Sequence, residues 1–172
     1  ISREIEHTFL GLDALTERWA DRGVDNSKVT TTGLPINPMA FEPVDRIEFL
    51  RSQNLNPEIK TIVLASGGEG VGDFPTIVKS ISEKIKEPIQ MVVYCSKNKQ
   101  HVVDLTALKP SLPKNMDLRI VEGFVENDVM MNMIKSSDVY ITKSGGLSPT
   151  EGFAINKPIV LLDVYGGHER KN

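Results

Sequence analysis

The stretch with the most evident chemical potential is residues 138–151, DVYITKSGGLSPTE, which ends in the carboxylate of Glu151. Its β-branched and aromatic residues 139–142 predict a strand, and the proline after the glycine pair suits the first turn of a helix. A strand, a glycine turn and a helix N-terminus together present free backbone N–H groups to an anion. We therefore predict that a nucleotide diphosphate binds here. An ordinary strand-to-helix connection with good caps is the alternative.

Glu151 is expected on the first turn of that helix, directly after the amides that would face the phosphates. Its carboxylate can accept hydrogen bonds from two vicinal hydroxyls, which is what a ribose offers. The alternative is a first-turn acid that interacts only with the helix dipole, worth roughly 0.3–1 kcal/mol. The neighbouring glycine turn favours the ribose interpretation.

A second glycine-rich turn, residues 66–72, follows the apolar run 61–65. Its glycines allow a ligand to approach the backbone without a Cβ atom in the way. The turn lacks the lysine and Ser/Thr of a P-loop, so triphosphate hydrolysis is not expected. The third glycine of the dinucleotide spacing would fall at Asp73, and the second strand ends in Tyr94-Cys95-Ser96 without an acid, which disfavours an NAD enzyme.

Two further segments contain groups that suit a ligand. Phe124 and Val125 follow Gly123, and their main-chain N–H and C=O groups can read the edge of a base; a strand end with a buried Phe is the alternative. His168 and Glu169 follow two glycines and can hydrogen-bond sugar hydroxyls or a phosphate, with a solvated helix start as the alternative. Neither His7 nor His101 has an acidic or nucleophilic companion at motif spacing, and both are expected at the surface.

The elements that must position these residues form five strand–helix repeats. Apolar runs predict strands at 61–65, 89–95, 118–121, 139–142 and 159–162, and helical periodicity predicts helices at 74–86, 97–108, 128–136 and 147–155. This alternation predicts an α/β fold with a doubly wound parallel sheet. Because crossovers are right-handed, the loops at 67–72, 123–127, 143–146 and 165–169 should cluster at the carboxyl edge of the sheet, where ligands of such sheets bind.

The composition sets outer limits on function. The chain has 172 residues, of which 40% are apolar and 25% are charged, as in ordinary globular domains. A net charge of −3 and the absence of a basic stripe give no support for nucleic-acid binding. The single cysteine, Cys95, lies in a strand-like run and is expected to be a buried, reduced thiol, which fits a cytoplasmic protein. No His, Cys, Asp or Glu set has metal-site spacing.

The chain resembles the donor-nucleotide half of two-domain GT-B glycosyltransferases, and within them the family of processive diacylglycerol glucosyltransferases and monogalactosyldiacylglycerol synthases. That family is related to the N-acetylglucosaminyltransferase that forms lipid II. The resemblance spans nearly the whole chain and is carried by the segments 32–36 (TGLPI), 67–70 (GGEG), 123–125 (GFV), 142–148 (TKSGGLS), Glu151 and 167–172 (GHERKN). The segment 33–36 favours the glycolipid branch over the peptidoglycan branch.

The resemblance implies a role for each of these segments. Uracil would lie against the main chain at Phe124 and Val125, Glu151 would bind the ribose, and the two glycine turns would hold the diphosphate. Family members often carry Gln where His168 stands. The expected nucleotide-sugar-binding residues are Gly67, Gly68, Gly70, Phe124, Val125, Ser144, Gly145, Gly146, Leu147, Thr150, Glu151, His168 and Glu169. No metal and no cofactor other than the UDP-sugar co-substrate is expected.

By the same resemblance, residues 1–38 are expected to be the end of an N-terminal domain and an interdomain connector. Residues 39–172 are expected to be a nucleotide-sugar-binding domain truncated at its C-terminus. The catalytic base and the lipid-binding residues would lie in the missing N-terminal domain, so these residues alone are expected to be inactive. The full-length protein would be an inverting hexosyltransferase, peripheral at the cytoplasmic face of the membrane. A lipid-II-type N-acetylglucosaminyltransferase domain, a UDP-sugar epimerase and a non-enzymatic nucleotide-sugar-binding module are the alternatives.

Overall fold

A computed structural model describes residues 6–162 of the chain. The chain divides into two compact units, Ile1–Asn37 and Pro38–Asn172. This division lies next to the boundary predicted after residue 38. That the first unit ends an N-terminal domain remains a prediction.

The first unit contains a small parallel sheet. Strand β1 (Thr8–Leu10) pairs with strand β2 (Val29–Thr31), and helix α1 (Thr16–Ala20) lies between them in the chain. His7 is exposed, as expected, and its Nε2 atom is 2.9 Å from the Oγ1 atom of Thr30.

The second unit contains the predicted five-stranded parallel sheet, whose strand order is β5-β4-β3-β6-β7. It begins with helix α2 (Arg46–Ser52) and then alternates strands with helices. The bounds lie within two residues of those predicted: β3 (Lys60–Ala65), α3 (Phe74–Lys84), β4 (Ile89–Ser96), α4 (Lys99–Leu108), β5 (Met116–Glu122), α5 (Asn127–Ser136), β6 (Val139–Lys143), α6 (Leu147–Ala154) and β7 (Ile159–Leu162). The predicted fold class, a doubly wound parallel α/β sheet, is confirmed.

Alternate residues of β3 point into two apolar clusters, one on each face of the sheet. Ile62 and Leu64 pack in the cluster that α3 and α4 cover, whereas Val63 and Ala65 pack in the cluster of α2 and α5. Both faces are therefore buried, which explains the continuous apolar sequence of this strand. Burial of each large aliphatic side chain contributes about 1.5–3 kcal/mol relative to exposure. Cys95 is a fully buried free thiol, and burial raises its pKa to about 11.

The carboxylate of Asp138 connects β6 to β3 at the amino ends of these strands. It accepts hydrogen bonds from the amide of Thr61 at 2.8 Å, from Nζ of Lys60 at 2.8 Å and from Arg46 at 3.3 Å. Burial by itself raises the pKa of Asp138, but these hydrogen bonds and the two cations bring it below its ordinary value. The result is a fixed pairing of the two strands whose opposite ends form the candidate site.

Candidate functional site

The site lies where the strand order reverses. From β3 the chain moves through β4 to β5 on one side of the sheet and then returns to β6 on the other side of β3. Ligands of open α/β sheets bind at such a switch point, beyond the carboxyl ends of the strands. A cleft of about 240 Å³ opens there, lined by Ala65, Gly67, Gly68, Tyr94, Ser96, Gly123, Phe124, Val125, Asn127, Met130, Ile134, Tyr140, Ser148 and Glu151. It brings together residues from two of the four predicted loops, 67–72 and 123–127, with Ser148 and Glu151 of α6.

The first glycine loop, residues 67–72, contributes Gly67 and Gly68 to the cleft but not Gly70. Gly70 has φ +58°, and a Cβ atom added to it would lie 2.4 Å from the carbonyl oxygen of Cys95. The Gly70 amide donates to the carbonyl of Gly67 at 3.1 Å, and the side-chain amide of Asn98 donates to the carbonyl of Gly70 at 3.1 Å. Gly70 therefore holds the loop against the end of β4, and its predicted contact with a ligand remains a prediction.

The segment after β5 turns back across the mouth of the cleft. Gly123 has φ +76°, and its amide donates to the carbonyl of Ser96 at 3.1 Å. Beyond this bridge, the main chains of Phe124 and Val125 make no hydrogen bond within residues 6–162. Both residues line the cleft, so N–H and C=O groups are available there for the edge of a base.

The Phe124 side chain is not buried, so the alternative interpretation of this segment, a strand end with a buried Phe, is wrong. Its ring is 67% exposed and lies against the first glycine loop, where a Cβ atom added at Gly68 would be 3.3 Å from the ring. The ammonium group of Lys97 lies 6.0 Å from the ring centroid and 2.7 Å from the carboxylate of Glu69. The ring thus forms one rim of the cleft together with residues of the first loop.

The second glycine loop, residues 144–146, leads into α6 without a capping side chain. Gly146 is the N-cap residue and has α-helical angles, φ −75° and ψ −56°. Thr150 donates to the Gly146 carbonyl at 2.7 Å, and Leu147 is 51% exposed. Of the residues expected here to bind the ligand, Ser144, Gly145, Gly146, Leu147 and Thr150 stand beside the cleft rather than among the residues that line it. Their contact with a diphosphate remains a prediction.

Glu151 lines the cleft, as the ribose interpretation requires. Its expected position on the first turn of α6 is wrong, because the helix begins at Leu147 and its first turn contains no acid. Glu151 is the fifth helical residue and accepts a backbone hydrogen bond from Ile155 at 3.3 Å through its carbonyl. Since the effect of the helix dipole falls off within the first turn, the dipole alone gives a weak reason for a carboxylate here.

Sequence reasoning missed several residues that line the cleft, among them Tyr94, Met130, Ile134 and Tyr140. The two tyrosines follow β-strand patterns that predict burial, and both are only 3% exposed. Burial raises the pKa of Tyr94 to about 12, with Arg119 opposing this shift. Nothing in the spacing of these residues shows that they face the same cavity, because they come from different strands and from α5.

His168, Glu169 and the loop 165–169 fall outside the described residues, so their predicted roles stay predictions. His101 was expected at the surface, which is wrong: it is 8% exposed, and its ring stacks on Phe74 with centroids 4.4 Å apart. Within residues 6–162, no group of three or more His, Cys, Asp or Glu side chains is placed to hold a metal ion.

The fold is that of a doubly wound α/β domain with a cleft at the switch point of its sheet. The crystal structure of UDP-GlcNAc 2-epimerase from Neisseria meningitidis bound to UDP-GlcNAc has the same fold, with a TM-score of 0.67 and 15% identity. The match covers 96% of this chain and 46% of that chain. No protein-family model matches the sequence.

Curated sequences identify the relatives more narrowly. The processive diacylglycerol beta-glucosyltransferase of Bacillus subtilis is 30% identical over 178 residues, which cover 100% of this chain and 44% of the relative. The protein of the same name from Staphylococcus aureus is 34% identical over 153 residues, covering 88% of this chain and 37% of the relative. The predicted resemblance to this family is confirmed. The chain spans less than half the length of these curated relatives.

Among the described residues, no helix combines the length and the apolar character needed to cross a bilayer.

Proposed function

We propose that this chain binds a UDP-sugar and is the donor-binding part of an inverting glycosyltransferase that transfers a hexose to a membrane lipid of the diacylglycerol type. The observation that carries the proposal is the convergence of three kinds of group on one cleft. These are the main chain at Phe124 and Val125, which has no hydrogen-bond partner among the described residues, the carboxylate of Glu151 and the glycine backbone at Gly67 and Gly68.

The base would be read by the main chain. Uracil presents a ring N–H between two carbonyl oxygens, and an adjacent main-chain N–H and C=O pair can complement part of this edge. Neither group at Phe124 or Val125 has a partner within residues 6–162, so binding would satisfy polar groups that are otherwise left to water. A purine has a different pattern of donors and acceptors and a larger outline, so it should fit less well.

The ribose and the diphosphate of the nucleotide would lie across the switch point of the sheet. Glu151 would accept hydrogen bonds from the two ribose hydroxyls, and each charge-assisted bond of this kind is worth roughly 1.5–3 kcal/mol. The diphosphate would extend toward the N-terminus of α6, where the N-cap residue Gly146 leaves the amide donors without a side-chain acceptor. The helix dipole favours negative charge at this end.

This arrangement suits a displacement reaction at the anomeric carbon. As the acceptor oxygen attacks, the bond to the β-phosphate breaks and the negative charge on UDP increases. Amide donors already directed at that charge stabilise the transition state more than the ground state. The acceptor hydroxyl must also lose its proton. We expect the base for this step in the preceding domain that the resemblance implies, so no catalytic residue is assigned in this chain.

The relatives supply the acceptor part of the proposal. Their name states that they glucosylate diacylglycerol processively, and they match the whole chain or most of it. We propose the same class of acceptor here, with the full-length protein peripheral at the cytoplasmic face of the membrane. An epimerase shares the fold and is the second candidate, since the structural neighbour is a UDP-GlcNAc 2-epimerase bound to its nucleotide sugar.

Isothermal titration of the chain with UDP, ADP, uridine and NAD tests the proposal. UDP should bind at least about tenfold more tightly than ADP, a difference of roughly 1.4 kcal/mol. Uridine should bind more weakly than UDP because it lacks the diphosphate. Equal affinities for UDP and ADP would contradict the uracil assignment. Assays with UDP-glucose and diacylglycerol should show no transfer by these residues alone, and incubation with UDP-GlcNAc should give no epimer.

A further inference from the structure

The first glycine loop contains one glycine that its backbone conformation does not require. Gly67, Gly70 and Gly72 have φ of +78°, +58° and +122°, in the left-handed region that favours glycine. Gly68 has no positive φ, so a residue with a side chain could adopt its backbone angles. The neighbours of residue 68, and not its backbone, therefore account for the glycine at this position.

The space beside Gly68 is filled by the ring of Phe124. A Cβ atom added at residue 68 would lie 3.3 Å from Cε1 and 3.6 Å from Cζ of that ring. The shorter distance is closer than carbon atoms prefer, so a side chain at residue 68 would push the ring away. Because the ring is largely exposed to solvent, it can move without disrupting the core. The expected consequence is a displaced rim of the cleft in a domain that still folds.

Lys97 connects the same part of the rim to the end of β4. Its amide donates to the carbonyl of Gly68 at 3.3 Å, and its ammonium group lies 2.7 Å from the carboxylate of Glu69 and 6.0 Å from the centroid of the Phe124 ring. Both members of the ion pair are exposed, and exposed ion pairs contribute little to stability. Lys97 thus flanks the ring, while the ring itself packs on residue 68.

The Phe124 ring belongs to the segment whose main chain would read the base. The Gly123 amide donates to the Ser96 carbonyl at 3.1 Å, and the side chain of Val125 packs against the apolar cluster of α2 and α5. Between these two anchors, the main chain of Phe124 has no hydrogen-bond partner among the described residues. The packing of the ring on Gly68 is therefore the contact that fixes this residue between its neighbours.

We propose that Gly68 is a positioning residue for the base. Its lack of a side chain lets the Phe124 ring pack on the first glycine loop, and the packed ring holds the main chain of Phe124 and Val125 where it can read uracil. The proposal rests on the proposed function, because it needs a base at this segment. It differs from a role in holding the diphosphate, since a side chain at residue 68 would then weaken only ligands that carry phosphates.

The test compares dissociation constants for UDP, by isothermal titration, and for uridine, by NMR titration. Gly68→Ala should weaken the binding of both ligands about two- to threefold, and Gly68→Val, whose branched side chain needs the place of the ring, at least about tenfold. For each variant the factor should be the same for the two ligands. Weaker UDP binding with unchanged uridine binding would overturn the proposal, because Gly68 would then serve the phosphates.

A double variant tests whether residue 68 acts through the ring. Phe124→Ala should weaken uridine binding by a factor similar to that of Gly68→Val, and Phe124→Tyr, which keeps the ring, should not. In the Phe124→Ala background, Gly68→Ala and Gly68→Val should have no further effect on uridine binding. A further loss there would overturn the proposal, since residue 68 would then act without the ring.

The matched control is Phe153→Ala, which removes another exposed ring that does not line the cleft. It should leave both dissociation constants unchanged. Urea denaturation shows whether each variant is folded, and Gly68→Ala with its double variant decides the question if Gly68→Val does not fold. If wild-type protein binds neither UDP nor uridine, the proposed function fails and this inference fails with it, an outcome distinct from a selective loss in the variants.

Discussion

The two glycine loops at the switch point share one layout, in which a strand is followed by glycines and then by a helix. The glycines of the two loops nevertheless have different roles in the structure. In the loop 67–72, Gly67 and Gly70 have φ of +78° and +58°, and Gly70 lies against the backbone of Cys95. In the loop 144–146, Gly146 has ordinary helical angles. The first loop needs glycine for its left-handed conformation, whereas Gly146 of the second loop adopts angles that any residue can adopt and simply supplies no side-chain cap to α6.

The helices that follow these loops differ in how their N-termini are capped. The N-cap residue of α3 is Asp73, whose carboxylate accepts a hydrogen bond from the amide of Thr76 at 3.2 Å. The N-cap residue of α6 is Gly146, which has no side chain to serve this purpose. An anion can therefore compete for the donors of α6 without displacing a carboxylate. The comparison shows that the first loop is held against the end of β4 and leads to a helix with a carboxylate cap, whereas the second leads to a helix whose N-cap residue has no side chain.

The largest expected effect concerns Gly70. Gly70→Ala should lower the free energy of unfolding by about 2–3 kcal/mol, because the new methyl group meets the Cys95 carbonyl and the left-handed backbone disfavours any side chain. Urea denaturation measures this change. Gly146→Ala is the control, and its helical angles predict a loss of less than about 1 kcal/mol. Similar losses in the two variants would contradict the distinction between the loops.

The next effect concerns Glu151, on the helix that follows the second loop. Glu151→Ala should weaken UDP binding at least about tenfold, or roughly 1.4 kcal/mol, since two charge-assisted hydrogen bonds to the ribose would be lost. The free energy of unfolding should change by less than about 1 kcal/mol, because the helix dipole has little influence beyond the first turn. Isothermal titration and urea denaturation give the two values.

The matched control for that variant is Glu126→Ala. Glu126 is an exposed acid at the start of α5 that makes no side-chain capping bond and does not line the cleft. Its replacement should leave UDP affinity unchanged. A sharp drop in melting temperature of Glu151→Ala with intact UDP affinity would show that Glu151 has a structural role only.

The smallest effects come from exchanging the caps of the two helices. Gly146→Asp should weaken UDP binding roughly two- to fivefold without changing the affinity for uridine, because the new carboxylate competes for the α6 donors. Asp73→Ala should leave UDP affinity unchanged and lower the free energy of unfolding by about 1 kcal/mol through loss of the cap. A larger effect of Asp73→Ala than of Gly146→Asp on UDP binding would reverse the comparison.

The Asp73 cap also predicts a pH dependence. Hydrogen bonding to Thr76 holds the pKa of Asp73 below its ordinary value of 3.8. The folded state therefore binds this proton less readily than the unfolded state, and the stabilisation is fully present above pH 3.8. It is lost as the pH falls through the lower, folded-state pKa. The difference in unfolding free energy between wild type and Asp73→Ala should shrink in that acidic range.

The sequence by itself determined where the strands of the sheet and most helices of the second unit lie along the chain. Continuous apolar runs such as residues 61–65 have no other stable place than a sheet buried on both faces, and the glycines that follow them mark the turns. Because parallel strands end at the same edge, it also followed that the loops containing Gly67 and Phe124 would meet near the start of the helix that carries Glu151. These conclusions depend on neighbouring residues in the chain and on general rules of chain topology.

Tertiary structure alone decided which of these residues line the cleft. Gly70 turns toward Cys95 rather than the cleft, His101 is buried on Phe74, and the Tyr140 ring packs close to Gly152 of α6. Each outcome depends on the distance between elements far apart in sequence, such as the approach of α6 to the sheet that Gly152 permits. The local pattern indicated that strand residues such as Tyr140 would be buried, but it did so for apolar runs only and missed His101. It does not record what a side chain is buried against, because that is set by strand order and by the packing of whole helices.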